Sequence, residues 1–495
     1  MLSLISHKYP RRIWMKTFNS DGSHTEQTSY LIDQCRKALK TIFSKRKWIT
    51  AMPILVGSES TAQELIELGA EKVLAIGCAE GIRHAPLDEE IRAKLTSHCL
   101  GVSFGGDMMD GIRGGESVLD QLDPDSLAII DTFDPDQEAL VMRTIFSEGK
   151  AVGGRPVFGE RPKSWQALED KIIIDQFWDL AGVKRAPSQN INLNWTELRQ
   201  AFHNQNSGQG VVIAGDAKSG FHGGATRTRW AKTEEHLAII LRDLQTECEQ
   251  ARVMPLLNGV SCSMHGWVFP NGEYISLRPC EMLVTYSDQE TKFEYHGAGS
   301  YWRPSAYIQE EMRESVEKAA KLLSKDYGYR GVFTVDGIAT KDGFFPSELN
   351  PRFGGALGRM SVALPELPLL SMHYASIEGY DLGVTPNELK ELIISAAEAK
   401  PVIRGMVKLE EQCSNPQTVY FKKELEQWIV CSAPDEGKHT TDQIHDAHIK
   451  WGTAISGSLI FAYIEPSCLD ADQPSIAWVK KLLVTAKAYI QSHYL

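Results

Sequence analysis

The chain has 495 residues, 42% of them hydrophobic and 23% charged, and 64 Asp and Glu against 52 Lys and Arg give a formal charge of −12. That length suffices for roughly two to four domains with large cores, and the acidic balance argues against nonspecific binding to nucleic acid or anionic membranes. Nine scattered cysteines without a CxxC pair, no apolar run long enough for a signal peptide in MLSLISHKYPRRIW, and no stretch approaching a membrane span together lead us to expect a soluble cytoplasmic protein. In chain order, a polar loop at residues 19–23 precedes a helix from about Thr28. Ile49–Val56 reads as a strand, Ser60–Leu68 as a helix with Ser58 or Ser60 as N-cap, and Lys72–Ile76 as a strand. Leu127–Asp131 reads as a further strand and Gln137–Phe146 as a helix, while Phe104–Asp107 and Gly111–Gly115 read as glycine-rich loops. Strands alternating with helices imply a parallel sheet covered on both faces. No GxGxxG follows a strand here, so nicotinamide binding has no support.

From about residue 164 the texture changes. Ser164 is placed to cap a helix that carries Asp170-Lys171, runs on through Ile172–Leu180, and stops at Gly182 with Pro187 beyond. A buried-type strand, Gly210–Gly215, leads into Lys218-Ser219-Gly220-Phe221-His222-Gly223-Gly224, where the glycines bare backbone N–H groups to a phosphate-sized anion or simply make a turn. Glu234–Ala251 reads as a helix and is followed by the apolar Arg252–Gly259. Ser261–Val268 and Tyr274–Val284 flank the hairpin signal Asn271-Gly272, and Arg278 and Glu281 on the return strand suit either a cleft or a surface ion pair. A polar loop over Tyr286–Arg303 and an amphipathic helix over Gln309–Lys325 complete this part.

The segment Gly331–Gly358 carries the most chemistry. Its two strand-like runs meet at Lys341-Asp342-Gly343, a turn that sets Asp336 opposite Glu348 and Thr334 opposite Asn350. Period-two alternation then puts Asp336, Glu348 and Asn350 on one face. Two carboxylates facing across a ladder repel, and a hard cation between them removes that cost. A solvated strand face is the other reading of the same pattern. Arg352 brings a fixed positive charge to the same side. Helices over Leu369–Ile377 and near 380–400 follow, then strands at Val402–Val407, Trp428–Cys431 and Ser458–Ile464 and a final helix over Ser475–Ser492.

The string Glu-Leu-Asn-Pro-Arg, twelve residues after a strand aspartate, resembles the metal-binding end of ATP-grasp enzymes. The Asp170-Lys171 helix, the glycine loop and the Arg252–Gly259 hinge fall in that superfamily's order, and LNGVSCSMHGWVFPNG and ELNPRFGG look most similar to its bacterial peptide-ligase-type members. The resemblance implies an α/β pre-ATP-grasp domain with a parallel sheet over 1–163. It also implies a two-subdomain ATP-grasp domain over 164–400, with glycine loop 215–226, hinge 252–259 and metal hairpin 331–353, and a small C-terminal α+β region over 401–495. ATP and Mg²⁺ are the implied cofactors. Asp336, Glu348 and Asn350 would hold the metal, Lys171, Lys218, Gly220, Gly223 and Gly224 the phosphates, and Met254 and Leu257 the adenine, with Arg352 catalytic. The implied reaction joins a carboxylate to an amine through an acyl phosphate, on an amino acid or short peptide, in a possible homodimer with no nucleic-acid or membrane partner. Two alternatives remain: a carboxylase-like enzyme that activates bicarbonate, and a nucleotide-binding regulator without turnover. The family's usual lysine on the strand before the glycine loop is missing near Ile213 and Ala214, which leaves Lys218, Arg227 or Arg229 to replace it. An acidic ribose contact is missing too, Asn258, Ser261 and Cys262 standing there.

Overall fold

The computed structural model describes residues 17–19, 22–82, 86–218, 220, 223, 225–286, 291–409, 411, 417–431 and 445–494. Three sheets organise them. The first is parallel and four-stranded, in the order Leu95–Cys99, Lys72–Ala79, Lys47–Ile54, Leu140–Arg143. Its central strand is buried almost throughout because helices cover it from both sides, as the near-continuous apolar run KWITAMPI requires.

Two expectations are exchanged in this region. Leu127–Asp131 lies within a helix, Pro124–Phe133, because Asp123 accepts a hydrogen bond from the Ser126 N–H and Pro124 occupies the first turn. The stretch read as a helix, Gln137–Phe146, instead holds the edge strand Leu140–Arg143, whose partner Trp48–Ala51 decides its conformation. Gly111–Gly115 is likewise helical. Asp107 and Asp110 form a capping box that starts the helix Met108–Leu119, and that box outweighs the low propensity of the glycines. Neither Ser58 nor Ser60 caps the second helix, which starts at Leu55. The Ser58 hydroxyl donates instead to the Thr50 carbonyl at 2.6 Å.

The second sheet is four-stranded and antiparallel, in the order Gln189–Asn192, Gln250–Pro255, Val211–Gly215, Thr228–Ala231. Helices Trp195–Gln205 and His236–Leu244 bury Ile191, Val211, Ile213, Ala231 and Val253 on one of its faces. The helix expected over Glu234–Ala251 is therefore shorter, its last residues entering the central strand of this sheet. The first helix after residue 160 is also broken: Lys163–Gln166 and a 3-10 turn at Ala167–Glu169 precede Ile174–Ala181, which ends on left-handed Gly182. Ser164 is inside the first piece, with Pro162 at the cap position.

The third sheet has ten antiparallel strands: Gly343–Asn350, Gly331–Thr340, Val260–Val268, Tyr274–Tyr286, Phe293–Gly299, Ile403–Leu409, Gly457–Ile464, Ala447–Ala454, Gln417–Glu424, Gln427–Cys431. The expected polar loop over Tyr286–Arg303 thus contains a strand, bent by Gly297 at φ +117°. The residues after 400 continue the same sheet, and the last helix, Ile476–His493, packs on its strands. Glu281 explains how that helix is held. Its buried carboxylate accepts from the Ser475 N–H at 2.8 Å, the Ser475 hydroxyl at 2.5 Å and the Ile476 N–H at 2.9 Å. Glu281 therefore faces neither the cleft nor a surface partner, whereas Arg278 pairs with Glu398 at 2.9 Å. Glu281→Ala leaves those donors unmatched and is expected to lower unfolding stability by about 1–3 kcal/mol, read by urea denaturation.

Candidate functional site

The hairpin sets Asp336 opposite Glu348 and Thr334 opposite Asn350 as expected, but not through the expected three-residue turn: Thr340 pairs with Gly343, so the turn is Lys341-Asp342 and one extra residue on the return strand restores the pairing. A register shift follows immediately after Asp336, where the Gly337 backbone lies so close to the Phe345 carbonyl that a Cβ would sit 2.4 Å from it. Asp336, Glu348 and Asn350 share one face. Burial, and next the Glu348 carboxylate across the ladder, push the Asp336 carboxyl up to about 7. Its neighbours offset this only in part: the Asn350 amide donates to Asp336 at 2.8 Å, and the Lys171 ammonium lies 2.5 Å from Glu348. The Asn350 oxygen accepts from Arg352 at 2.7 Å, so its amide bridges the first carboxylate and the guanidinium. Among the described residues no three His, Cys, Asp or Glu side chains are grouped to hold a metal. The hairpin instead offers two carboxylates and an amide, a set that leaves room for ligands from a bound anion.

Arg352 is buried against a second layer. Its Nε donates to Glu169 at 3.2 Å, and its guanidinium lies 4.8 Å from the centre of the Phe146 ring. Glu169 in turn accepts from Arg161 at 2.6 Å, while Arg161 also donates to the carbonyls of Pro351 and Ile145. Burial alone would raise the Glu169 pKa, but Arg352 and Arg161 reverse that and hold it below the usual carboxylate range. Three carboxylates (Glu169, Asp336, Glu348) and three cations (Arg161, Lys171, Arg352) thus come together, Glu169 and the arginines buried and the facing pair Asp336 and Glu348 partly open.

The helix-free face of the small sheet supplies the opposite wall. Val212 pairs with Met254 and Ala214 with Arg252, so these four side chains share the face away from the helices. Leu257 follows, partly buried, just beyond the strand. Arg252 donates to the Ser347 carbonyl at 3.1 Å, next to Glu348 on the hairpin, and this bond joins the two walls. The glycine loop lies near the same place: a Cβ on Gly223 would be 3.2 Å from Met109 and 4.0 Å from Phe146, the ring beneath Arg352. Gly220 is left-handed at φ +95°, and Gly224 lies outside the described residues. A cavity of about 230 Å³ lined by Thr226, Arg227, Asp243 and Glu247 lies beside the loop and includes none of the hairpin residues.

No family model and no curated protein sequence matches the chain. Solved structures do. The ADP complex of an N5-carboxyaminoimidazole ribonucleotide synthetase superposes with a TM-score of 0.51 at 12% identity, over 91% of this chain and 98% of that one. A beta-gamma-ATP complex of biotin carboxylase from Campylobacter jejuni gives 0.51 at 12% identity, over 86% and 89%. Rhizobium etli pyruvate carboxylase gives 0.53 at 15%, with 90% of this chain on 39% of that one. The fold is the ATP-grasp fold. Its order explains the placement of the residues singled out from sequence: the hairpin brings Asp336, Glu348, Asn350 and Arg352 together, and Lys171 joins them from the opening helix region.

Lys218 stands apart from that cluster, half exposed and paired with Glu249 at the surface. Arg227 and Arg229 are committed to Glu247 and Asp243. Arg229 stands across the ladder from Ile213, on the helix-covered face, so the cation on the open face at the vacant strand position is Arg252, which was not considered from sequence. Arg252 is fully buried directly across the ladder from Ala214, with Asp175 at 2.6 Å. Glu169 and Arg161 were missed as well. The only sequence signal for Glu169 is its position two residues before Lys171, and Arg161 has none.

Proposed function

We propose that the cleft binds Mg·ATP and transfers its γ-phosphoryl group to a substrate carboxylate. ADP leaves, and an amine attacks the acyl phosphate to give an amide and inorganic phosphate. The acid in this reading is an amino acid or short peptide. The observation that carries the reading is the hairpin, where two carboxylates face each other, Asp336 joined through Asn350 to a buried arginine and Glu348 paired with Lys171. The repulsion between Asp336 and Glu348, only partly offset by Asn350 and Lys171, fits a divalent cation, and bound Mg²⁺ would neutralise charge on the β- and γ-phosphates. Asp336 and Glu348 would hold it, with Asn350 as the amide ligand once its oxygen leaves Arg352. With a cation held at the hairpin, Lys171 would be available to phosphate oxygens, as would the Gly223 backbone N–H, whereas the Gly220 N–H already donates to the Ala217 carbonyl at 3.0 Å. Lys218 can join them by leaving Glu249. Arg352, fixed by Glu169, stabilises charge developing between carboxylate and phosphoryl oxygens. Met254 and Leu257 would line the adenine end.

Arg252 takes the role of the missing strand cation in this reading. Arg252→Met is expected to raise the KM for ATP about tenfold or more with a smaller change in kcat, measured by steady-state ADP release.

The named neighbours are carboxylases or make a carboxylated product, and this supports a second reading in which bicarbonate is the activated acid. One experiment separates the two. ADP release from Mg·ATP is followed with pooled amino acids and dipeptides, with and without ¹⁴C-bicarbonate, and with hydroxylamine to trap acyl phosphate. Release that requires an organic acid and yields its hydroxamate is the expected outcome. Release that requires bicarbonate and fixes the label supports the carboxylase reading instead.

A further inference from the structure

Most buried arginines in this chain face a carboxylate: Arg143 meets Glu116 and Asp120, Arg155 meets Asp134, Arg161 and Arg352 meet Glu169, Arg252 meets Asp175, and Arg278 meets Glu398. Arg359 and Arg404 do not. Neither forms an ion pair among the described residues; the Nε of each is shielded from solvent without a hydrogen-bond partner, as are those of the paired Arg143, Arg252 and Arg278, so it is the missing carboxylate that sets these two apart. Both side chains keep some exposed surface, as groups on the floor of an open cleft do.

Their position follows from the sheet. Asp336 pairs with Ser263 and Ser263 with Cys280, so the metal-hairpin face is also the face of Cys280, Met282 and Val284. Val284 pairs with Tyr295 and Met282 with Ala298; Ala298 pairs with Arg404, and Arg404 with Tyr463. One continuous face therefore runs from Asp336 through Tyr295 to Arg404 and Tyr463. Arg359 reaches it from the short helix Gly355–Ser361, which follows Arg352 and packs on the strand of Tyr295. A Cβ on Gly355 would be 3.5 Å from the Tyr295 hydroxyl. The Arg404 guanidinium is stacked on Tyr463 at 4.8 Å and Phe461 at 4.7 Å.

The electrostatics agree with this placement. Burial, and then the like charge of Arg359, pull Arg404 down to about 10, and burial lowers Arg359 as well. The nearby groups that favour the two cations are the phenols of Tyr295 and Tyr463. Two partly shielded guanidiniums brought together without an anion repel each other, and an anionic ligand removes that cost.

We propose that Arg359 and Arg404, with Tyr295 and Tyr463, bind a second oxyanion on the acid that is activated, so that the preferred substrate is a dicarboxylic or phosphorylated acid. This rests on the carboxylate-activating reading above. Arg352 is already engaged by Glu169 and Asn350 at the phosphoryl end, and one carboxylate there leaves the other two charges unmatched. A planar guanidinium pair accommodates a carboxylate or a phosphate, and substrate pairs distinguish the two.

The test compares ADP release by the whole chain with matched acids: glutamate against glutamine, aspartate against asparagine, phosphoserine against serine. Arg404→Gln and Arg359→Gln are measured beside the wild type, with melting temperature and ATP affinity recorded for each. We expect about a 10- to 100-fold preference in kcat/KM for the doubly charged member, lost in Arg404→Gln while ATP affinity stays unchanged. Preference within the phosphoserine pair alone identifies a phosphate group, and preference within the carboxylate pairs a second carboxylate. Equal use of charged and uncharged members overturns the inference and leaves the ligase reading intact, whereas absence of ATP binding removes both. Should neither variant fold, the wild type decides by melting shifts in Mg·ADP: glutarate is expected to stabilise it more than butyrate does, or phosphoserine more than serine. Equal shifts, or none, within both pairs overturn the inference.

Discussion

Glu348→Gln is expected to lower Mg²⁺-dependent ATP turnover by about 10²–10³-fold while leaving the fold intact. The substitution keeps the size of the side chain and removes one of the two charges facing across the hairpin. Without it, a cation has a single carboxylate, Asp336, and the Lys171 ammonium, 2.5 Å from Glu348, loses its nearest partner. Two effects on stability then oppose each other. Lys171 is left with a weaker match, and the repulsion that adds to burial in pushing Asp336 up to about 7 is relieved. The net change in unfolding free energy is therefore expected within about 1–2 kcal/mol, far less than breaking an ordinary buried ion pair. Phosphate release across a Mg²⁺ titration, beside a urea melt of the same preparation, checks both halves. A purely structural role for the pair would show the reverse: a lowered melt with turnover preserved.

The largest effect on stability is expected one layer deeper. Glu169 is the shared partner of Arg161 and Arg352, at 2.6 and 3.2 Å, and Glu169→Gln leaves both guanidiniums buried without their anion. Removing one member of such a network costs about 3–5 kcal/mol. Activity is expected to fall in parallel, because Arg352 loses the bond that orients it beside Asn350. The pH dependence has a definite sign. Glu169 is held below its ordinary value when folded, so the stability it contributes is fully present above the unfolded value of about 4.3. That contribution is lost as pH falls through the lower, folded value. The acid limb of the wild-type unfolding profile should accordingly flatten in Glu169→Gln.

The elements best read from sequence are those fixed by short-range chemistry. The hairpin Gly331–Asn350 was legible because the alternation of its strands and the spacing of Asp336, Glu348 and Asn350 lie within twenty residues, although its turn is one residue shorter than expected and a bulge after Asp336 makes up the difference. Gly182 ended its helix as a left-handed cap for the same reason. The exchanged assignments at Leu127–Asp131 and Leu140–Arg143 show where such reading fails. Both are brief apolar runs, and the cap at Asp123 decides one while pairing with Trp48–Ala51 decides the other. Arg252 and Arg404 lay further beyond reach. Their significance depends on which residue stands opposite, Ala214 for one and Ala298 and Tyr463 for the other, and on the carboxylates that each does or does not meet. Strand pairing over such separations leaves no local signature. Glu169 is intermediate, since its neighbour Lys171 was noticed but its two arginine partners come from Arg161 and, 183 residues away, Arg352.

The central claim is that the cleft between the small sheet and the hairpin is a Mg·ATP site, and equilibrium binding of ATP to the 495-residue chain, with and without Mg²⁺, tests it most directly. The expected result is a single saturable site that requires the metal and is weakened in both Glu348→Gln and Arg252→Met. A folded protein that takes up no ATP, or that binds it equally well without Mg²⁺ and in both variants, would contradict the claim.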